Sequence, residues 1–173
     1  KGIVVMNTPD SNTISAAEHT MALILSLSRN VNLGHYDIMK GKWNRNKLVG
    51  SELFNKSLGI VGLGKIGKEV MHRSLAFNMR IYGYDPYLSE EYFSDDDIDI
   101  VDLDYLISNS DYITLHMPLT DKTKDLFNYN KLSKMKKSAR IINVARGGII
   151  NEQDLSRLLK ENKIAGSAID VFE

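Results

Sequence analysis

The sequence contains no cysteine. That excludes a disulfide framework and any thiolate metal site, and it makes a reducing cytoplasm the natural address. There is no excess of either charge: 22 basic residues balance 22 acidic ones, so no general field draws the chain to nucleic acid or to an anionic membrane. Any phosphate recognition must therefore be local. Long apolar runs are lacking too. The stretch from Met21 to Leu27 is interrupted by Ser26, flanked by Arg29 and far too short to span a bilayer, and it does not read as a signal peptide. We find no internal repeat and no low-complexity linker. What is present, 173 residues of which 43% are hydrophobic, supports one full core, so a single globular domain with an appendage is expected.

Lys1 to Asn7 reads as a short apolar strand closed by a turn over Thr8-Pro9-Asp10-Ser11-Asn12. It has no lead-in and no obvious partner, and a strand cannot satisfy its backbone alone, so the expectation is that sequence ahead of it is missing. Ser15-Ala16-Ala17-Glu18 has the pattern of a capping box and predicts a helix running from residue 15 to residue 30. That helix is apolar around most of its circumference, which predicts burial on two sides, and an interface is one way to supply the second.

From Leu58 onward strands alternate with helices. Strands are predicted at 57–61, 79–84, 112–116, 140–144 and 164–169, and helices at 68–77, 103–108, 129–134 and 152–160. The acidic stretch Asp95-Asp96-Asp97 with Asp99 reads as a solvated loop in preference to a metal cluster. The pattern predicts an α/β fold, a doubly wound parallel sheet of the Rossmann type.

Gly62, Gly64 and Gly67 follow an apolar strand and open a helix. In that context glycines give a tight turn, a close backbone approach to a pyrophosphate and close packing of helix on sheet, while the helix amino terminus offers amides and a positive dipole end. Lys65 and Ile66 lie on the turn and would present their backbone there. After the next strand stands Asp85, where a carboxylate accepts from ribose hydroxyls and repels a 2'-phosphate. This favours NAD over NADP. Two alternatives stay open on these residues alone: glycines that serve only the turn, and a methyltransferase whose adenosylmethionine presents the same ribose.

The run Ile141 to Gly148 sets Arg146 just past the end of a buried strand, at the sheet edge where ligands of open parallel sheets bind. A guanidinium there can grip a carboxylate with two parallel hydrogen bonds. An arginine beside two glycines is, by itself, more often a surface residue.

Several motifs in order now resemble one family over essentially the whole chain: Gly2-Ile3-Val4-Val5-Met6-Asn7-Thr8-Pro9, Ser15-Ala16-Ala17-Glu18, Gly41-Lys42-Trp43, Gly62 to Gly67, Tyr84-Asp85-Pro86, His116-Met117-Pro118-Leu119-Thr120, Asn143 to Gly148 and Ala168-Ile169-Asp170-Val171-Phe172. The chain resembles the D-2-hydroxyacid dehydrogenases, and the Met6 to Pro9 and Gly41 to Trp43 phrasing is most similar to the 3-phosphoglycerate dehydrogenase branch. A methyltransferase has no use for the arginine loop.

The resemblance implies hydride transfer between NAD and a D-2-hydroxy acid. It implies that Arg146 holds the substrate carboxylate and the oxygen at C2, that Asp170 binds the nicotinamide carboxamide, and that Met117 and Pro118 near adenine and Val144 and Ala145 near the nicotinamide line the cofactor. It puts His116 on the adenine side and lets Asn12 reach the substrate from the hinge. His19 and His72 read as packing or surface residues, and Lys131, Lys134, Lys136, Lys137 and Arg140 as a solvated basic face. The family's catalytic glutamate and histidine lie further along its pattern than Glu173, so neither role is assigned here and the chain alone is expected to be inactive. Residues 1–49 then read as a remnant strand of the substrate domain plus an inter-domain helix, and residues 50–173 as the NAD-binding domain. The same resemblance implies a homodimer through the 15–30 helix. It leaves as alternatives an NAD(H)-sensing module of the corepressor type and a dehydrogenase for glycerate, lactate or glyoxylate.

Overall fold

The computed structural model describes residues 2–4, 6, 11–88 and 98–173. Two helices come first, α1 (Thr13–Arg29) and α2 (Val31–Met39), joined at Asn30 in the left-handed conformation. An alternation follows: β1 (Ser57–Val61), α3 (Lys65–Leu75), β2 (Arg80–Tyr84), β3 (Ile98–Ile100), α4 (Leu103–Asn109), β4 (Tyr112–Leu115), α5 (Tyr129–Leu132), β5 (Arg140–Asn143), α6 (Glu152–Lys160) and β6 (Gly166–Ile169). The six strands form one parallel sheet in the order β3-β2-β1-β4-β5-β6. The expected doubly wound α/β fold is the observed one.

Each central strand is apolar on both faces because both faces are covered. On one face Leu58, Ile60, Ile81, Tyr112 and Ile142 pack with Val70 and Met71 of α3 and with Ala17, Met21 and Ile24 of α1. On the other, Val61, Tyr82, Ile113 and Ile141 pack with Leu106 of α4, Leu132 of α5 and Leu155 and Leu158 of α6. The helix expected as an inter-domain element thus contributes to the core of the sheet. Its outer leucines, Leu23, Leu25 and Leu27, are only partly buried against that core.

Four local expectations need correction. Ser15 lies inside the first turn of α1, where its hydroxyl donates to the Asn12 carbonyl at 3.1 Å; the cap position is Asn12, and the Ser15/Glu18 capping box does not form. Asp99 belongs to β3 and pairs with Arg80 at 2.9 Å, so the acidic stretch enters an edge strand there, while Asp95 to Asp97 lie outside the described residues. The described part of the expected first strand, residues 2–4 and 6, is exposed and in no sheet, with no strand among the described residues paired to it. Lys1, Val5 and Asn7 to Asp10 of that segment lie outside the described residues. Finally, α2 was not anticipated.

One residue ties the amino-terminal ends of three strands. Asp111, just before β4, accepts at Oδ2 from the Ser57 amide and hydroxyl, each at 3.0 Å, and at Oδ1 from Lys136 at 3.1 Å, while its own carbonyl accepts from the Arg140 amide at 3.0 Å. Burial alone would raise its pKa, but the donors from Ser57 and Lys136 outweigh burial and hold it below the ordinary value. A depressed carboxyl pKa stabilises the fold above the unfolded value, and that contribution is lost as pH falls through the folded one. Asp111→Ala should therefore lower stability by about 1–3 kcal/mol at neutral pH, in urea unfolding, with the gap closing under acid. A gap that persists unchanged in acid would contradict this.

Candidate functional site

β1 and β4 are neighbours, yet the chain leaves them for helices on opposite faces. The loops beyond their carboxyl ends therefore part, and such a switch point is where open parallel sheets bind ligands. Here the loops are also pressed together. Gly62 has φ +97° and donates its amide to the Tyr84 carbonyl at 2.8 Å, and a Cβ on it would stand 2.5 Å from the His116 carbonyl oxygen. A Cβ on Gly67 would overlap the Gly62 carbonyl, so α3 packs directly on the turn. Gly64 differs: a Cβ there would meet nothing within 4 Å, and no side chain caps the α3 amino terminus that begins at Lys65. Open space over an uncapped helix start is what a pyrophosphate requires. Ile66 turns inward to the core, so only its backbone is offered to the opening.

Asp85 closes one side of this crevice. Its Oδ2 accepts from the Leu63 amide at 2.9 Å and its Oδ1 from the Tyr87 amide at 3.0 Å, which pins the carboxylate to the glycine turn. Each oxygen keeps acceptor capacity for a second donor such as a ribose hydroxyl. On the other side, the His116 amide donates to the Val61 carbonyl at 2.8 Å and its Nε2 lies 2.9 Å from the Thr114 hydroxyl. Burial pushes the His116 imidazole down to about 4, so it is neutral at physiological pH. Met117 packs on the core, and exposed Pro118 accepts at its carbonyl from the Thr123 hydroxyl at 2.7 Å.

The loop after β5 is held by one residue. Asn143, 2% exposed, accepts at Oδ1 from the Ala145 amide at 3.0 Å and donates from Nδ2 to the Arg146 carbonyl at 2.9 Å. Val144 and Ala145 are half-buried beneath it, and the Arg146 side chain is exposed, donating from Nη1 to the Ala145 carbonyl at 2.6 Å. A guanidinium has five N–H donors, so one such bond leaves it able to grip a carboxylate. Asp170, just past β6, donates its amide to the Asn143 carbonyl at 3.0 Å, so the Arg146 and Asp170 backbones meet at one strand end.

Two residues were missed for opposite reasons. Asn143 carries a local signal, since an asparagine two positions before the amide it bonds is a known turn former. The His19–Asp170 contact, Nε2 to Oδ1 at 3.3 Å, joins the two ends of the chain and has no sequence signal. Asn12 caps α1 through its backbone carbonyl and not its side chain. Glu173 is occupied elsewhere: its amide donates to Glu152 and its carboxylate lies 3.4 Å from Lys124.

The family model for the D-isomer specific 2-hydroxyacid dehydrogenase, NAD binding domain, matches residues 21–173. The chain belongs to this family. Its nucleotide is therefore NAD, and the methyltransferase alternative falls. The D-3-phosphoglycerate dehydrogenase of Methanocaldococcus jannaschii is 45% identical over 174 residues, covering 100% of this chain and 33% of the relative. Among solved structures, the D-lactate dehydrogenase from Aquifex aeolicus complexed with NAD and lactic acid superposes with a TM-score of 0.90 at 34% identity, over 99% of this chain and 52% of that one. The NAD-dependent formate dehydrogenase from Staphylococcus aureus in complex with NAD gives 0.88 at 39% identity, over 94% and 49%. The chain thus spans about a third of the curated relatives it matches. No helix among the described residues is long and apolar enough to cross a membrane.

The burial of His116 has a consequence for acid. An unfolded histidine titrates near its ordinary 6.5 while the folded one waits until about 4. Between those values only the unfolded chain takes up the proton, so stability falls as pH falls through that window. Ring resonances of His116 followed by NMR should show no protonation at pH 5.5, whereas a midpoint near 6.5 would mean that the ring is open to water.

Proposed function

We propose that this chain is the cofactor domain of a dehydrogenase that moves a hydride between NAD and a D-2-hydroxy acid, and that the acid is 3-phosphoglycerate. The observation that carries the reading is Arg146, held by buried Asn143 at the sheet edge that also bears the glycine turn and Asp85. The choice of acid rests on the phosphoglycerate dehydrogenase relative, which matches the whole chain.

In this reading each residue has a physical task. Asp85 accepts from the adenosine ribose hydroxyls, and its charge disfavours a 2'-phosphate. The turn Gly62, Gly64 and Gly67, with the backbones of Lys65 and Ile66, takes the pyrophosphate at the positive end of α3. His116, Met117 and Pro118 wall the adenine side, and Val144 and Ala145 the nicotinamide side, where Asp170 accepts from the carboxamide. When bound, NAD supplies the carbon that accepts the hydride. Arg146 grips the substrate carboxylate and the oxygen at C2, stabilising negative charge there during reaction in the reducing direction. Oxidation of an alcohol also needs a group to take its proton. A guanidinium offers only donors and cannot do so; the family's histidine and glutamate perform this task, and neither is assigned to a residue of this chain. In the same reading Asn12, at the start of α1, reaches the substrate from the hinge side, and α1, within segment 1–49, is the inter-domain element beside the NAD-binding domain 50–173. A chain without cysteine suits a reducing cytoplasm.

We further infer a homodimer formed through the α1–α2 arm. None of the α2 residues is buried, and Val31, Leu33, Tyr36, Ile38 and Met39 are each more than half exposed, as is Trp43 beyond them. Exposed large apolar residues gathered around one short helix in this way mark an interaction surface.

Calorimetry on this chain should show NAD bound more tightly than NADP, and Asp85→Ala should weaken NAD by about 1–3 kcal/mol and narrow the gap. Equal affinities in the unaltered chain would take Asp85 away from the ribose. Arg146→Ala should leave NAD affinity nearly unchanged, while in the protein that carries this sequence it should lower kcat/KM for 3-phosphoglycerate by orders of magnitude. Parallel loss of NAD binding would make Arg146 a cofactor residue instead. Light scattering should report a dimer that Ile38→Glu with Met39→Glu dissociates; a strict monomer at high micromolar concentration would remove the interface.

A further inference from the structure

The amide of Asp170 is fixed to the end of β5, but that bond does not set the direction of its carboxylate. The side-chain contact it makes is with His19, on the second turn of α1, Nε2 to Oδ1 at 3.3 Å. We propose that His19 is a positioning residue for the cofactor: it holds one oxygen of Asp170 so that the other is presented to an amide donor at the nicotinamide end. The proposal rests on the reading of Asp170 given above.

Three observations support it. First, the base from which His19 reaches is rigid. Ala17, Thr20, Met21 and Ile24 of α1 are buried, and α1 shares its core cluster with Tyr112 of β4 and Ile142 of β5, so the His19 backbone is fixed relative to the sheet edge. Secondly, the Asp170 backbone is fixed by Asn143, the same residue that holds the Arg146 loop. The remaining freedom is in the Asp170 side chain, and the contact with His19 limits it. Thirdly, the pair is about half exposed on both sides, 48% and 51%. An exposed polar contact of this kind adds little to folding stability, so its effect is expected on the group it orients and not on the fold. A preorganised acceptor loses less rotamer freedom when the ligand arrives.

The test uses this chain and two ligands, NAD and ADP-ribose, which lacks the nicotinamide ring. His19→Leu should weaken NAD by about threefold to tenfold, the range of one modest hydrogen bond, and leave ADP-ribose affinity unchanged. His19→Gln, which keeps an N–H donor of similar reach, should restore most of the NAD affinity. Thermal midpoints of both variants should match the unaltered chain. Asp170→Ala should also weaken NAD selectively, and adding His19→Leu to it should cost nothing more, because the two residues act through one contact. If His19→Leu binds NAD normally while Asp170→Ala does not, the role of His19 is overturned and the reading of Asp170 stands. If Asp170→Ala has no effect, both are overturned. Equal loss of NAD and ADP-ribose in His19→Leu would show a general structural role and would overturn the proposal as well.

Discussion

The crowding of two backbones at the carboxyl end of the sheet, Gly62 against the His116 carbonyl, is the constraint on which the rest of the site depends. β1 and β4 lie side by side in the sheet, and their following segments must separate to opposite faces. A side chain at residue 62 would force those segments apart. The positive φ at the same position would strain any other residue as well. With glycine there, the turn closes, α3 settles onto it through Gly67, and Gly64 is left as the open floor of the crevice.

Around that closed turn, side chains are used to fix backbone before they are used for recognition. Asp85 holds the Leu63 and Tyr87 amides, Asn143 holds Ala145 and Arg146, and His116 extends the β1–β4 pairing while its ring bonds Thr114. Each fixes a loop at the sheet edge, where a ligand needs donors and acceptors already in place, since ordering them on binding costs affinity. The opposite edge is organised by Asp111, whose carboxylate is engaged by Ser57 and Lys136. Two ends of one sheet thus employ carboxylates for different purposes, a division set by which end the helix amino termini face.

The parts of this structure that were readable from sequence are those with local signals. Gly62, Gly64 and Gly67 between an apolar run and a helix, Asp85 after the next strand, and Arg146 past β5 each announce themselves by spacing, and the strands β1, β2, β4, β5 and β6 by apolar runs bounded by turns. What escaped is physically explicable. β3 is three residues long, half exposed and preceded by aspartates, so it looks like loop until Arg80 pairs with Asp99. α2 buries nothing in its own chain and therefore shows no stripe that a single core would demand. Ser15 had the composition of a cap but sits one turn too late, because Asn12 ends the preceding segment first. The His19–Asp170 contact depends on α1 lying across the far end of the sheet, which no local pattern encodes.

The central claim, that NAD occupies the crevice between the β1 and β4 turns, is tested most directly by amide hydrogen exchange with and without NAD. The account predicts new protection confined to the carboxyl edge of the sheet, at residues 62–67, 85–87, 116–118 and 144–146. Exchange at the amino edge, around Ser57, Asp111 and Arg140, should not change. Protection centred on that amino edge or on α2, with the glycine turn unaffected, would contradict it.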